Sequence, residues 1–440
     1  MAPGVTDAEA ATDPEATDPT EGSGLEQAAR TANASVARPY RSVDRICPSL
    51  GAARQRVGSG TLCLMSPETR FPASVHADRL RRAAAQAAER DLLALLITPS
   101  SDYAYLLGYH PPALERLTCL IVPADGAPSL VVPRLEEPLA RHELGELASE
   151  MEILAWDETD DPFRLVRRHL NGGEAMRAAV QDQMFARFLL RLSAALDPIE
   201  LVEAGPSMAA LRRIKTPEEV DRLRAAAAAA DEAMLRITAE RLSGRTEAEV
   251  SSHIRELLLD AGHQVPDFAI VASGPNAASP HHEPGERVIS AGDALVLDIG
   301  GTRDEYCSDT TRTAFVGDPA PEFAALYAVL REAQSAACAA VAPGIAAREI
   351  DRTARRIIDE AGYGEEFIHR TGHGIGMETH EEPYIVESNP EPLQAGHAFS
   401  IEPGIYLAGR WGARIEDIVV CTDTGGERLN TTSTELYLVE

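Results

Sequence analysis

Lysine is all but missing from this chain. Of 440 residues only Lys215 is a lysine, so the 41 basic residues are almost wholly arginine, which with heavy alanine usage reads as coding bias. No lysine follows the stretch Gly372-His373-Gly374-Ile375-Gly376 to reach a phosphate, and that stretch lacks the G-x-G-x-x-G spacing, so nucleotide binding is disfavoured. Cysteine is scarce too. Cys47, Cys63, Cys119, Cys307, Cys338 and Cys421 show no C-x-x-C or framework spacing, which predicts free thiols in a reducing compartment, and none stands in the context of a protease nucleophile. No apolar run approaches the length of a membrane span, and the N-terminus has no basic start followed by an apolar stretch, so the expected location is the cytoplasm. Positive charge is in deficit. With 41 basic against 69 acidic residues the net charge is −28, which argues against nucleic acid or an anionic membrane surface as partner.

What is present suggests two domains at this length. Residues 1–64 are rich in Ala, Thr, Asp, Glu, Pro and Gly without a sustained period, and read as a disordered or extraneous tail, with Met65 an internal or true start. From Ser74 helices and strands alternate. A helix over 76–90, a strand over 92–97, an apolar stretch over 103–109, strands over 117–122 and 130–132, a helix over 136–147 and a strand over 151–155 make the pattern of an α/β domain with a parallel or mixed sheet. A boundary falls between Pro206 and Thr216, because Thr216-Pro217-Glu218-Glu219 is a capping box with proline at the first helical position. Thr246-Glu247-Ala248-Glu249 is a second such start, for a helix running to Ala261. Strands over 268–272 and 295–299 complete one α/β half, and helices over 321–341 and 346–360 open another.

Five residues in the last third could ligate metal, each in its own short signature: Asp298 in Leu-Asp-Ile-Gly, Asp309 in Ser-Asp-Thr-Thr-Arg-Thr, His373 in Thr-Gly-His-Gly-Ile-Gly, Glu402 in Ile-Glu-Pro-Gly and Glu416 in Arg-Ile-Glu-Asp. Each has an ordinary explanation when taken alone. Asp298 ends an apolar run and fits a solvated turn, Asp309 fits a surface strand paired to Arg312, His373 fits a structural histidine in a glycine turn, and Arg414 could account for either glutamate. Jointly, five such coincidences are less economical than one shared site. Carboxylates can bridge two cations and an imidazole binds one, so the set suits a pair of divalent ions such as Mn, Co or Zn, whereas a structural zinc site would want thiolates.

With these motifs in this order, the chain resembles the pita-bread metallopeptidases of family M24, specifically the Xaa-Pro branch of prolidases and aminopeptidases P. The likeness runs from about Leu211 to the C-terminus. It implies an α/β (α+β) fold: a creatinase/prolidase-like α/β domain over 70–205, with weaker motifs, then a pita-bread catalytic domain over 211–440 built of pseudo-two-fold halves. By the same resemblance Asp298 serves one metal, His373 and Glu402 the other, and Asp309 and Glu416 bridge both. His281 is preferred to His282 for the family's upstream histidine, because it stands 17 residues before Asp298. His380, seven residues after His373, would steady the tetrahedral intermediate; His369, four before it, would lie near the substrate's proline. Arg414 shares a strand face with Glu416 and is assigned to the substrate carboxylate or to orienting the site.

The chemistry then expected is hydrolysis of the amide bond before proline, in dipeptides or at the N-terminus of short peptides. Two cations sharing a water would generate a bridging hydroxide, Glu402 would move the proton, and His281 and His380 would donate to the oxyanion. Two divalent ions per chain are expected, manganese ahead of cobalt and zinc, with a small peptide as substrate and a homodimer as the assembly. A non-peptide amidohydrolase on the same fold, such as one acting on an acylated compatible solute, stays open as an alternative. A catalytically inactive binding protein is the reading from another class.

Overall fold

The computed structural model describes residues 70–170 and 176–440; the tail read over 1–64, with Cys47 and Cys63, lies outside the described residues. After a helix over Ala73–Glu89 the chain builds a six-stranded mixed sheet from β1 (Ala94–Ile97), β2 (Cys119–Pro123), β3 (Ser129–Pro133), β4 (Glu152–Trp156), β5 (Arg177–Val180) and β6 (Glu200–Glu203), in the order β4-β3-β2-β1-β5-β6. β1, β2 and β3 are buried along their whole length, because helices cover both faces, and so they read as continuous apolar runs. The apolar stretch over 103–109 is helical for most of its length. Ser100 accepts from the Tyr103 amide and caps a helix over Ser101–Leu107, which Gly108 closes at φ 63°. Tyr103 to Leu107 are all buried, so no amphipathic period marks that helix in the sequence.

Both capping boxes form. Thr216 and Thr246 accept from the amides of Glu219 and Glu249, whose carboxylates accept from the threonine amides at 2.8 Å, and these contacts start helices over Pro217–Thr238 and Glu247–Asp260. Those helices pack on a sheet of β7 (Val265–Ser273), β8 (Ala294–Arg303) and β9 (Tyr306–Val316), closed by the parallel C-terminal strand Tyr437–Val439. β8 and β9 form a long antiparallel hairpin whose turn residues Asp304 and Glu305 both take positive φ, 48° and 73°, as a tight hairpin turn requires. The turn is tied down from outside: Gln264 accepts from the Asp304 amide at 2.8 Å and His110 meets the Glu305 carboxylate at 2.6 Å.

The second half repeats the plan. Helices over Pro321–Ala339 and Ala347–Glu360 cover a five-stranded sheet of β10 (Gly372–Gly374), β11 (Glu381–Ile385), β12 (Ala398–Ile401), β15 (Asp417–Thr422) and β16 (Gly425–Arg428), and a separate hairpin joins β13 (Gly404–Leu407) to β14 (Trp411–Arg414). Each half encloses its own apolar core, one around Leu295, Leu297 and Ile254, the other around Phe323, Ile350 and Phe399. Burying side chains of this size contributes about 1.5–3 kcal/mol each. The halves meet at a bridge between Thr311 and Glu416. Behind it Arg312 pairs with Asp417 at 2.6 Å with both side chains wholly excluded from solvent, and Arg312 also donates to the Glu416 carbonyl at 2.6 Å. Removing one partner of such a pair costs roughly 3–5 kcal/mol, so the seam between the halves is stiff.

Candidate metal centre

The seam presents acidic side chains to one cavity. In the β8–β9 register Asp298 faces Thr311 and Gly300 faces Asp309, and since alternate residues share a face, Asp298, Asp309 and Thr311 point the same way. Asp298 is therefore neither at a strand end nor in a solvated turn; it sits mid-strand and buried, and Asp309 lies in a fully buried strand. His373 stands between Gly372 and Gly374 on β10, where a Cβ at either glycine would collide with the backbone of Ser400 or Glu382. Glu402 directly follows β12 and Glu416 directly precedes β15, strands paired through Ile401 and Asp417. All five candidates thus line one cavity of about 740 Å³, whose apolar wall includes Phe268, Ile270, Pro280 and Ile368.

Their donor atoms fall into overlapping groups within 4.8 Å of one another: Asp298, Asp309 and Glu416; His373, Glu402 and Glu416; Asp309, His373 and His380. His373 donates through Nδ1 to the Gly374 carbonyl at 3.1 Å, which leaves the Nε2 lone pair 3.2 Å from Glu402 and 3.6 Å from Asp309. Burial, reinforced by neighbouring carboxylates, pushes Asp298 above the usual carboxylate range and Asp309 and Glu416 well above it. Burial also acts to raise Glu402; with His373 protonated, its Nε2–H and charge outweigh that and draw the group down to about 2, and a cation on the same nitrogen would take the place of that proton. Two buried oxygens, Asp298 Oδ1 and Glu416 Oε1, have no hydrogen-bond partner among the described residues, while their sister oxygens accept from Arg414 and Thr311. Carboxylates crowded within 4.8 Å of one another, two of them with an unpartnered oxygen, beside an imidazole whose Nε2 can offer a lone pair, fit divalent cations.

Around these donors lie the other sequence candidates. His380 is half-exposed with its ring centroid 4.1 Å from that of His373, and partial burial, then His373 and Arg370, push it down to about 4, so it is neutral at neutral pH. His281 lines the cavity, and its imidazole makes no hydrogen bond among the described residues. His282 points elsewhere, to the buried carboxylate of Glu247 at 2.8 Å. His369 donates to the Arg370 carbonyl at 2.7 Å and accepts from the Tyr406 hydroxyl at 3.0 Å. Arg414 is buried and donates to Asp298, Thr311, Tyr406 and the Pro280 carbonyl.

Sequence reasoning did not single out Thr311 and Tyr406. Thr311 lies two residues after Asp309 on one strand, so its place on the same face was available from periodicity. Tyr406 carried no such signal: it reaches Arg414 because a Cβ is missing at Gly404, across which its ring lies. Arg370, also unassigned, lines the cavity, stacks on Tyr384 at 4.5 Å and makes no ion pair among the described residues.

Comparison with known proteins agrees with this architecture. Residues 79–214 match the creatinase/prolidase N-terminal domain and residues 221–423 match metallopeptidase family M24. The probable dipeptidase PepE of Mycobacterium tuberculosis is 45% identical over 372 residues, covering 84% of this chain and 98% of that protein. Among solved structures, dipeptidase PepE from Mycobacterium ulcerans superposes with a TM-score of 0.81 at 46% identity, covering 84% of this chain and 99% of that one. A recombinant prolidase from Thermococcus sibiricus gives 0.75 at 37% identity, covering 82% and 98%.

Proposed function

Because this chain belongs to metallopeptidase family M24, with a creatinase-type N-terminal domain, we propose that it is a two-metal peptidase cleaving the bond before proline in dipeptides or short peptides. The observation that carries this reading is the meeting of Asp298, Asp309, His373, Glu402 and Glu416 in one cavity, with two carboxylate oxygens unpartnered among the described residues. Asp298 would hold one ion, His373 and Glu402 the other, and Asp309 and Glu416 both, with manganese ahead of cobalt or zinc. Bound there, such ions supply a water acidic enough to ionise near neutrality and a Lewis acid for the scissile carbonyl.

The chain's own groups divide the remaining work. Glu402, whose Oε1 accepts from Ser400 at 3.3 Å, leaves Oε2 to take a proton and return it to the departing proline nitrogen. His281 and His380 donate to the carbonyl oxygen as charge develops on it. His369, fixed by Tyr406, stands against the proline ring. Every side of the Arg414 guanidinium is engaged, which favours orienting Asp298 over meeting substrate. Among the described residues that line the cavity, the cation left for a substrate carboxylate is Arg370, so Arg370→Ala should raise KM for Xaa-Pro dipeptides more than for their C-terminal amides.

The dipeptidases and prolidases among the relatives support a short substrate. The working form on this reading is a cytoplasmic homodimer; among the described residues no helix is long and apolar enough to cross a membrane. The test is metal-stripped protein reconstituted separately with Mn, Co or Zn and assayed on Xaa-Pro dipeptides, Xaa-Pro-Yaa tripeptides and N-acyl amino acids. Turnover confined to the N-acyl compounds would replace the peptidase reading by the amidohydrolase one.

A further inference from the structure

The imidazole of His281 has no hydrogen bond of its own among the described residues, so its place at the cavity wall depends on the backbone that carries it. That backbone is the segment leaving β7 at Ser273, turning through Gly274–Ala278 and returning at Gly285. One side chain reaches its start, middle and end. Glu247, wholly buried in the first turn of the helix over Glu247–Asp260, accepts from the Ser273 amide at 2.8 Å and the Ser273 hydroxyl at 2.6 Å. It also accepts from Asn276 Nδ2 at 3.0 Å, His282 Nε2 at 2.8 Å and the Gly285 amide at 3.4 Å. Helix capping does not need Glu247, since Glu249 closes the capping box.

We infer that Glu247 is a positioning residue for catalysis, a buried carboxylate that fixes the 273–285 segment so that His281 faces the scissile carbonyl. The inference rests on the oxyanion role proposed for His281. A buried carboxylate satisfied by this many donors holds them collectively, and cutting it out releases the ties at Asn276, His282 and Gly285, leaving the Arg414 bond to the Pro280 carbonyl as the remaining side-chain tie beside His281. Ser273 is anchored from its far side as well, because Arg287, paired with Asp293, donates to the same hydroxyl at 2.5 Å. Loss of Glu247 therefore loosens the segment's middle and end more than its start.

The experiment compares metal-loaded full-length wild type, Glu247→Ala, His281→Ala and the double variant on an Xaa-Pro dipeptide. Wild-type metal content is expected throughout, with KM within about two-fold and kcat down on the order of 10²-fold in each single variant. The double variant should be no slower than His281→Ala alone, since Glu247 acts through that histidine. Amide hydrogen exchange over 274–285 should quicken in Glu247→Ala and not in His281→Ala. If Glu247→Ala fails to fold, His282→Ala, which removes one donor from a partly exposed position, should still lower kcat about ten-fold with metal retained. Wild-type kcat in the Glu247 or His282 variant, or losses that multiply in the double variant, would overturn the assignment. Full kcat in His281→Ala would instead sink the oxyanion role on which it rests.

Discussion

Arg414 donates to one oxygen of Asp298 at 2.5 Å, and the other oxygen of that carboxylate is buried without a partner among the described residues. The pair is separated by 116 residues and joins the two halves of the catalytic fold. Its effect is to decide which way the carboxylate turns. Arg414→Met should free the rotation and weaken metal binding by roughly 10–100-fold, with secondary structure retained. Isothermal titration of the metal-stripped variant with Mn measures this, and unchanged affinity would show that Asp298 is oriented by something else.

Asp309 and Glu416 are the proposed shared ligands, and Thr311 holds Glu416 Oε2 at 2.7 Å so that Oε1 is the oxygen left over. Asp309→Ala or Glu416→Ala should lose metal and activity together, because the remaining donors cannot keep two cations close. Elemental analysis decides the matter: either variant retaining wild-type metal after dialysis would break the assignment.

His380 predicts the opposite pattern. As a neutral donor beside His373 it should be dispensable for metal and needed for turnover, so His380→Ala should keep its metal while kcat drops on the order of 10²-fold. If metal content falls with kcat, His380 is a ligand, as its grouping with Asp309 and His373 would also allow.

In metal-free protein the carboxylates of the site should contribute less to stability as pH rises. Asp298, Asp309 and Glu416 bind protons more tightly folded than unfolded, since burial raises them above their ordinary values of 3.8, 3.8 and 4.5. Their stabilising contribution is full below those values and is lost as pH climbs through the raised ones. Glu402 runs the other way, losing its contribution as pH falls from 4.5 to about 2, so it does not cancel the decline above. Buried histidines act the other way in the same window, since burial holds His76, His263 and His397 down to about 4 and their neutral forms add stability as pH climbs from there to 6.5. The site's share is therefore read as a difference: in thermal melts, metal-stripped wild type should lose Tm relative to metal-stripped Asp309→Asn as pH rises above 3.8. A constant difference across pH would mean that Asp309 ionises freely.

Much of this protein is written locally. The capping boxes at Thr216 and Thr246 name two helix starts because the contacts that make them span three residues. Of the β8–β9 hairpin only the apolar first strand was legible, since β9 is polar from Ser308 to Thr313 although buried throughout. The five metal-site signatures are equally local. A carboxylate or imidazole inside an apolar or glycine-bounded run is conspicuous, because burying it is unfavourable unless something pairs with it. The helix over Ser101–Leu107 was harder to read, since burial on every side erased its period and left only the Ser100 cap as a sign.

What the tertiary structure decided are the relations between distant residues. Spacing preferred His281 to His282 without a physical reason; the reason is Glu247, 35 residues before His282, which takes His282 out of the cavity. Arg414 could have met a substrate or the site, and Asp298, Thr311 and Tyr406 engage it from separate strands. Tyr406 reaches Arg414 only because Gly404 leaves room. Sequence by itself determined which residues are chemically costly to bury. Which of them share a hydrogen bond was settled only when the two halves packed, because those contacts depend on the register of the seam rather than on the neighbours of any one residue.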